Sequence, residues 1–279
     1  MLRQELFRRM DESPDALFYK VPRLVTHIDD AAIAAVTQLY REHFPAGGAI
    51  LDLMSSWVSH LPEEIAYRRV VGLGMNAAEL AANARLHARV VQDLNQDPHL
   101  PFADAEFDAG GICVSVDYLI RPVEVLRECG RVIIPGGPLV ITFSNRCFPT
   151  KAIAAWQTLD DEGHQGLVEQ FFEGAGNWTR ITRLDRSPAP GHDPLYAVVA
   201  RSTGTLLHRE RTTPMISPAQ LEALMKSDTP HAVLDLRERG AYQKRHIFRA
   251  TSLPRRLLEQ RLPLLVPALP TRILSLIHI

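Results

Sequence analysis

Residues 107–145, FDAGGICVSVDYLIRPVEVLRECGRVIIPGGPLVITFSN, contain two short apolar runs on either side of a run with helical spacing. The first apolar run, Phe107–Ser115, consists of small and apolar residues that suit a strand covered on both faces. Pro135-Gly136-Gly137 then reverses the chain into the second run, Pro138–Phe143, because proline fixes φ and glycine permits positive φ. The stretch therefore predicts one complete βαβ unit of a parallel sheet.

Strand and helix patterns alternate on both sides of this unit. The predicted strands are Ala49–Leu53, Arg69–Leu73, Arg89–Leu94, Phe107–Ser115, Pro138–Phe143, Trp178–Leu184 and Leu195–Arg201. Helices outside the unit are predicted at Ala31–Phe44, Pro62–Tyr67, Ala77–Leu86, Lys151–Asp161 and Gly166–Phe172. Asp29 and Asp30 are suitable N-caps for the first of these helices.

The last two predicted strands are joined by the turn-rich sequence RSPAPGHDP, residues 186–194, with no helix between them. They should therefore pair as an antiparallel hairpin. Together these patterns predict an α/β fold with a doubly wound, mostly parallel seven-stranded sheet that ends in an antiparallel hairpin.

Composition narrows the classes of function. The 279 residues are 46% hydrophobic and carry a formal net charge of −1, so no broad basic field for nucleic acid is expected. A small-molecule substrate remains open, and the apolar stretch at Leu262–Ile279 is too interrupted by proline to span a membrane. The N-terminus has no apolar signal segment, and three scattered cysteines favour buried thiols in a reducing cytoplasm over disulfides or a metal site.

The sequence from Asp108 to Gly137 resembles that of a known family. It has an acidic residue before a strand, followed by the motif E-x-x-R-V-I-I-P-G-G. It is similar to the fourth and fifth strands of class I S-adenosylmethionine (SAM) dependent methyltransferases, particularly the type 11 group. An antiparallel hairpin at the sixth and seventh strand positions is also that family's arrangement. The resemblance implies a Rossmann-like methyltransferase fold that uses SAM to methylate an unidentified small molecule.

The resemblance also implies where SAM would bind, in the turns that follow the first three strands. The expected cofactor contacts are Asp52, Met54, Ser55, Ser56, Gly74, Met75, Asn76, Asp93 and Leu94. Asp52 matches the family's acidic residue at the end of the first strand, but the glycines that follow it in the family are absent. A plain turn in which serine caps a helix is the alternative interpretation.

In the second strand the family has an acidic residue that holds the ribose, and this chain has Gly74 instead. Asn76 or Glu79 could substitute for that residue, or could be a helix cap and a solvated side chain. Asp93 matches the family's acidic residue for the adenine amino group, with Leu94 as an apolar wall, although an aspartate here could also simply form a turn.

Acceptor contacts should lie beyond the carboxyl ends of the strands, where open α/β sheets bind ligands. His60 and Tyr118 are the candidate catalytic bases, and Trp57, Asn145 and Arg146 are the candidate substrate contacts. A structural hydrogen-bonding role for His60 and an ion pair for Arg146 are the alternatives.

The sequence changes character after Arg201, and we expect the methyltransferase-like domain to cover residues 1–204 and a linker to cover residues 205–213. The run VLDLRERGAYQKRHIFRATSLPRRLLEQRL, residues 233–262, resembles the first half of a rhodanese domain, which we place at residues 214–273. That family's catalytic cysteine lies in a later loop, and no cysteine follows Cys147, so sulfurtransferase activity is not expected. Residues 274–279, LSLIHI, resemble translated adapter sequence, and we expect them to be the non-native tail of a truncated gene, with a natural short end as the alternative.

Two other functions remain as alternatives. A degenerate methyltransferase fold that binds a ligand or partner without turnover would account for the missing glycines and the missing ribose acid. A nicotinamide oxidoreductase is disfavoured, because G-x-G-x-x-G does not follow the first strand and the predicted hairpin is antiparallel.

Overall fold

The structure is a computed structural model that describes residues 4–204, 222–223, 226, 231–235, 251–252 and 272–276. The chain forms two compact units, Met1–Arg209 and Glu210–Ile279.

The first unit contains seven strands and six α-helices among its described residues. The strands are β1 (Ala49–Leu53), β2 (Arg69–Gly74), β3 (Ala88–Val91), β4 (Ala109–Cys113), β5 (Pro138–Phe143), β6 (Trp178–Asp185) and β7 (Tyr196–Ser202). The helices are α1 (Asp15–Phe18), α2 (Asp30–His43), α3 (Ala77–Ala82), α4 (Pro122–Val132), α5 (Ala154–Thr158) and α6 (Asp161–Ala175). Short 3₁₀ turns lie at Gln4–Phe7 and Val116–Tyr118.

The seven strands form one sheet in the order β3-β2-β1-β4-β5-β7-β6. The first five strands are parallel, whereas β7 pairs antiparallel with both β5 and β6. The predicted doubly wound sheet with an antiparallel last hairpin is therefore confirmed. It is a Rossmann-like methyltransferase fold.

The central βαβ unit matches its prediction, with β5 beginning and ending where the apolar run does. Gly136 has a φ of +84°, the left-handed conformation that the turn requires. The preceding strand is shorter than predicted, because β4 ends before Val114, whose φ is +42°.

Alternating side chains of the strands pack into two hydrophobic clusters on opposite faces of the sheet. Ile50 and Val70 belong to the cluster that includes the buried face of α2, whereas Leu51 and Val71 belong to the cluster that includes α4 and α6. The result is a three-layer sandwich in which the central strands are covered on both sides, as their apolar sequences require.

The largest error of the sequence prediction is the helix at Pro62–Tyr67, which is wrong. Residues 54–68 connect β1 to β2 without a helix, because tertiary hydrogen bonds take the carbonyls that a helix would use. Arg85 Nη2 donates to the carbonyls of Pro62 and Ile65, each at 3.0 Å, and Thr37 Oγ1 donates to the carbonyl of His60 at 3.0 Å.

Other element boundaries shift by a few residues. The predicted third strand ends at Val91, because Asp93 and the residues after it form a turn. The helix predicted at Ala77–Leu86 ends at Ala82. The helix predicted at Gly166–Phe172 begins earlier, at Asp161, where Asp160 accepts a hydrogen bond from the Gly163 N–H at 2.9 Å.

The described part of the second unit is a three-stranded parallel sheet in the order β10-β8-β9. Its strands are β8 (His231–Asp235), β9 (Thr251–Ser252) and β10 (Arg272–Leu276). Most of the rhodanese-like segment lies outside the described residues, so that resemblance and the domain boundaries stay predictions. The expected non-native tail stays a prediction as well.

Candidate active site

A cavity of about 460 Å³ lies at the carboxyl ends of β1 to β4. Every site residue predicted from the sequence lines this cavity except Asn76. A segment before α2 also contributes to the lining, through Asp15, Tyr19, Arg23 and residues 25–28. The carboxyl ends of the strands thus form one side of the cavity. The segment of residues 15–28, called the roof below, forms another side, and no sequence pattern indicated it.

The turn after β1 takes a glycine-like conformation without glycine. Met54 has a φ of +55°, in the left-handed region that costs a non-glycine residue roughly 1–2 kcal/mol. The strained residue therefore stands two positions after Asp52 and before the two serines that follow. Since strained backbone concentrates at functional sites, positive φ at Met54, His60 and Val114 around one cavity marks this region.

Asp52 lies buried beneath that turn and organises it. Its Oδ2 accepts hydrogen bonds from the hydroxyls of Ser55 and Ser59, both at 2.6 Å. Asn83 Nδ2 donates to Ser59 Oγ at 2.9 Å and to the carbonyl of Ser56 at 3.0 Å. Burial raises the pKa of Asp52 to about 6, and the two serine hydroxyls partly oppose that rise. These side chains hold the turn in the place of a glycine-rich backbone.

The glycine at position 74 has a steric cause. The turn after β1 crosses the end of β2, where the Ser55 N–H donates to the carbonyl of Leu73 at 2.8 Å. A Cβ at Gly74 would lie 2.1 Å from the carbonyl oxygen of Ser55, closer than any side chain permits. The loss of glycines after β1 and the presence of glycine at the end of β2 are therefore two parts of one local arrangement.

Glu79, one of the two substitutes considered for the ribose acid, lies in the cavity wall. Its Oε1 accepts the Arg23 N–H at 2.7 Å and its Oε2 accepts the Ser56 hydroxyl at 2.7 Å. A carboxylate has about four acceptor positions, so both oxygens can accept further bonds. Asn76 instead caps α3 through Oδ1 and donates to the carbonyl of Tyr19 at 2.8 Å, which makes it a structural residue.

Asp93 forms the turn that was one of its two possible roles, and it also lines the cavity. Its Oδ1 forms the predicted turn, accepting the N–H of Asn95 at 2.9 Å and that of Gln96 at 3.3 Å. Its Oδ2 makes no hydrogen bond to any residue that the structure describes, and Asp93 lines the cavity beside the buried Leu94.

The two candidate bases differ in their surroundings. His60 lines the cavity, its ring makes no hydrogen bond within the described residues, and burial lowers its pKa, so the imidazole is neutral at neutral pH. The Tyr118 hydroxyl accepts the N–H of Phe148 at 2.9 Å, and burial raises its pKa well above the usual range. The His60 ring is thus without a hydrogen-bond partner among the described residues, whereas the Tyr118 hydroxyl is engaged by the backbone, and the roles of both residues as bases stay predictions.

The candidate substrate contacts are also tied to the protein. Trp57 Nε1 donates to the carbonyl of Val25 at 3.0 Å, which links the turn after β1 to the roof. Arg146 forms the ion pair considered as its alternative role, with Nε at 2.7 Å from Asp193 Oδ1. Asn145 and Arg146 follow β5 and line the same side of the cavity.

A buried ionic cluster holds the roof in place. The Lys151 side chain is fully buried, and its Nζ lies 3.2 Å from Asp15 Oδ1 and 2.7 Å from the carbonyl of Ser13. Arg9 Nη1 pairs with Asp15 at 2.8 Å, and Asn95 Nδ2 donates to Asp15 Oδ2 at 2.8 Å. Asp15 therefore joins the N-terminal segment to the wall of the cavity. No short motif marks these contacts, because the partners lie far apart in sequence.

Comparison with known proteins supports the fold and the class of site. A family model described as a methyltransferase domain matches residues 54–141, from the turn after β1 into β5. S-adenosylmethionine is the cofactor that this match indicates. No curated protein matches the chain. Within the described residues no group of histidine, cysteine and carboxylate side chains could hold a metal ion, and no helix has both the length and the apolar character needed to cross a bilayer.

Several solved structures are similar to the chain. The [4+2]-cyclase SpnF has 17% sequence identity and a TM-score of 0.47, with 67% of this chain and 90% of that chain covered. An S-adenosylmethionine-dependent methyltransferase from Mesorhizobium loti has 14% identity and a TM-score of 0.43, covering 60% of this chain and 98% of its own. Phosphoethanolamine N-methyltransferase 2 from Haemonchus contortus, in complex with S-adenosyl-L-methionine, has 13% identity and a TM-score of 0.44, covering 61% and 52%.

Proposed function

We propose that this chain is a SAM-dependent methyltransferase that acts on a small-molecule acceptor. The observation that carries the proposal is the convergence of three carboxylates, Asp52, Glu79 and Asp93, on one cavity at the carboxyl ends of the strands. A cavity of about 460 Å³ is in the range that small-molecule ligands occupy.

The acceptor groups of this cavity suit SAM, because its amino group, ribose hydroxyls and adenine amine are all hydrogen-bond donors. Asp52 would bind the amino group, Glu79 the ribose hydroxyls and Asp93 Oδ2 the adenine amine. Glu79 thus takes the role that the acid at the end of the second strand has in the resembling family. Leu94 and Met75 would supply apolar contacts beside these carboxylates.

When bound, SAM supplies a methyl group on a sulfonium, which an acceptor nucleophile can displace. The protein contributes mainly by positioning and by excluding water, since in-line displacement depends strongly on geometry. His60 would take a proton from the acceptor at a ring nitrogen, and its lowered pKa keeps that nitrogen unprotonated at neutral pH. The hydrogen bond from the Phe148 N–H to the Tyr118 hydroxyl links the segments after β4 and β5, which line the cavity away from the three carboxylates.

The test is isothermal titration of the full chain with S-adenosylhomocysteine (SAH) and with SAM. Asp93→Ala should weaken SAH binding by about 10- to 100-fold, because a hydrogen bond to a charged group contributes about 1.5–3 kcal/mol. Asp97→Ala is the matched control, since Asp97 is an exposed acid in the same turn that does not line the cavity.

Absence of SAH and SAM binding by the folded wild-type chain would contradict the proposal. It would favour the alternative of a non-catalytic methyltransferase fold that binds another ligand or a partner. Equal affinities of Asp93→Ala and Asp97→Ala would contradict the role given to Asp93.

A further inference from the structure

The wall formed after β4 and β5 differs in charge from the rest of the cavity. This acceptor wall consists of Ser115, Tyr118, Asn145, Arg146, Cys147 and Phe148. Its lining residues include an arginine and no carboxylate, while the neighbouring Asp117 is buried without lining the cavity, and burial raises the pKa of that carboxyl to about 7. The acidic residues of the cavity lie elsewhere, and all have partners or assigned roles in the proposed function. Asp52, Glu79 and Asp93 face the cofactor, while Asp15 is neutralised by Arg9 and Lys151.

Arg146 keeps most of its hydrogen-bonding capacity. Its ion pair with Asp193 uses Nε, and its two terminal nitrogens make no hydrogen bond to any residue that the structure describes. The side chain is 60% exposed and lines the cavity. A guanidinium held through Nε presents its remaining N–H groups as a planar donor pair, the geometry that matches carboxylate and phosphate oxygens.

Arg23 adds a second positive charge from the roof. Its guanidinium carbon lies 4.5 Å from the ring centre of Phe18 and 5.4 Å from that of Phe148, and Nη2 donates to the carbonyl of Phe18 at 3.0 Å. Its Nη1 is buried without a partner, and no described carboxylate forms an ion pair with it. The Arg23 guanidinium therefore carries a charge that no ion pair among the described residues balances directly.

A poorly solvated positive charge raises the potential nearby, because the effective dielectric constant inside a protein is far below that of water. The Phe148 ring belongs both to the cation–π group around Arg23 and to the acceptor wall. The side of the cavity left free by the cofactor therefore combines the charge of Arg23 with the unused N–H groups of the ion-paired Arg146, and aromatic rings flank it. A protonated amine would meet the Arg23 charge there and would find no carboxylate among the residues of the acceptor wall.

We propose that the methyl acceptor is a small anionic molecule whose carboxylate or phosphate group is bound by Arg146, with the charge of Arg23 strengthening that selection. The inference rests on the proposed function, since it takes the cofactor to occupy the side of Asp52, Glu79 and Asp93. Arg146 contacts the anion directly. Arg23 acts through the field it creates, because its buried Nη1 is covered by protein atoms.

The experiment uses the full chain saturated with SAH and measures the binding of four probes by isothermal titration. Benzoate and phenyl phosphate are the anions, benzamide is the neutral isostere of benzoate, and benzylamine is the cation. We expect at least one anion to bind about tenfold more tightly than benzamide, as a charge-assisted, two-point contact should give. Arg146→Gln should reduce this preference by about fivefold or more, and Arg146→Lys should restore part of it.

Arg186→Gln is the control variant, because Arg186 is also ion-paired, at 2.6 Å from Glu42, but does not line the cavity. It should leave the preference for anions unchanged. Arg23→Gln should weaken anion binding while benzamide binding stays the same. Unchanged SAH affinity shows that each variant is folded with an intact cofactor site.

The inference is overturned if benzamide or benzylamine binds as tightly as both anions, or if Arg146→Gln keeps the preference. It is also overturned if Arg146→Gln weakens SAH but not 5′-methylthioadenosine, which lacks the carboxylate, since Arg146 would then bind the cofactor. Failure of the wild-type chain to bind SAH would remove the proposed function and this inference together. Normal SAH binding without any anion preference would remove the inference alone.

Discussion

The steric link between Gly74 and the turn after β1 gives a sharp prediction. In Gly74→Ala the new Cβ would lie 2.1 Å from the Ser55 carbonyl oxygen, whereas real Cβ contacts essentially never fall below 3.0 Å. The neighbouring atom belongs to backbone that is anchored by the Ser55 N–H to Leu73 hydrogen bond of 2.8 Å, so it cannot move aside cheaply. We expect a loss of about 2–4 kcal/mol in the free energy of unfolding, the upper part of the range for overpacking.

The assay is thermal and urea unfolding of the full chain, combined with SAH titration. A loss of this size should lower the Tm of the first unit by about 4–16 °C, given about 2–4 °C per kcal/mol for a domain of this length. SAH affinity should fall as well, because the turn that must move contains Met54 and Ser55. Gly74→Asp should not improve SAH binding, because its Cβ would meet the same carbonyl oxygen, although it restores the acidic residue that the resembling family has for the ribose.

Gly136→Ala is the matched control for backbone strain. Gly136 has a φ of +84°, and a Cβ added to it would meet nothing within 4 Å, so alanine there should cost only about 1 kcal/mol. Equal destabilisation by Gly74→Ala and Gly136→Ala would refute the steric argument. A gain in SAH affinity for Gly74→Asp would refute the proposal that Glu79 takes the role of the acidic residue that the resembling family has at the end of its second strand.

Three further predictions concern stability. Met54→Gly should raise the free energy of unfolding by about 0.5–1 kcal/mol in urea, because it relieves the positive φ of +55°, and a destabilised variant would contradict that view. Lys151→Met should cost about 3 kcal/mol and expose the N-terminal segment to limited proteolysis, since it leaves Asp15 buried with only Arg9 as a charged partner; unchanged proteolysis would count against the role given to this ionic cluster. Burial raises the pKa of Asp52 from 3.8 to about 6, so the folded chain binds a proton that the unfolded chain releases, and this group makes stability fall as pH rises from about 4 to 6. Asp52→Asn should remove about 1–3 kcal/mol of that fall. If urea unfolding at pH 4.5 and at pH 7 gives the same change in the free energy of unfolding for the wild-type chain and for Asp52→Asn, the assignment is mistaken.

Much of the fold was predictable because its signals are local. The Asp29 N-cap, which accepts the Ala32 N–H at 2.9 Å, needs only residues three apart. The bounds of β5 follow from an apolar run that ends in turn residues on both sides, and the hairpin follows from a connection too rich in turn residues to form a helix. Hydrophobic spacing and turn chemistry act within a few residues, so they can be read without knowing the tertiary structure.

The connection between β1 and β2 shows where local signals fail. The sequence predicts a helix at residues 62–67, yet the carbonyls of Pro62 and Ile65 accept hydrogen bonds from the Arg85 side chain instead. The roof of the cavity was missed for the same reason. Arg23 reaches Glu79 across 56 residues and Lys151 reaches Ser13 across 138, distances over which no sequence pattern carries information.

The amino-acid sequence alone was enough to predict the mostly parallel sheet and the antiparallel hairpin from local patterns, and its resemblance to a known family indicated the candidate acids Asp52 and Asp93 near the strand ends. The way in which the atypical site is built emerged only from the three-dimensional arrangement. That arrangement gives Met54 a positive φ, puts the Ser55 carbonyl where a Gly74 side chain would be, and brings Glu79 into the cavity in place of Asn76. It also gives the Tyr118 hydroxyl a backbone partner and leaves the terminal nitrogens of Arg146 free toward the cavity among the described residues. These features depend on atoms that are distant in sequence and meet within a few ångströms, and contacts of that kind are fixed by close packing.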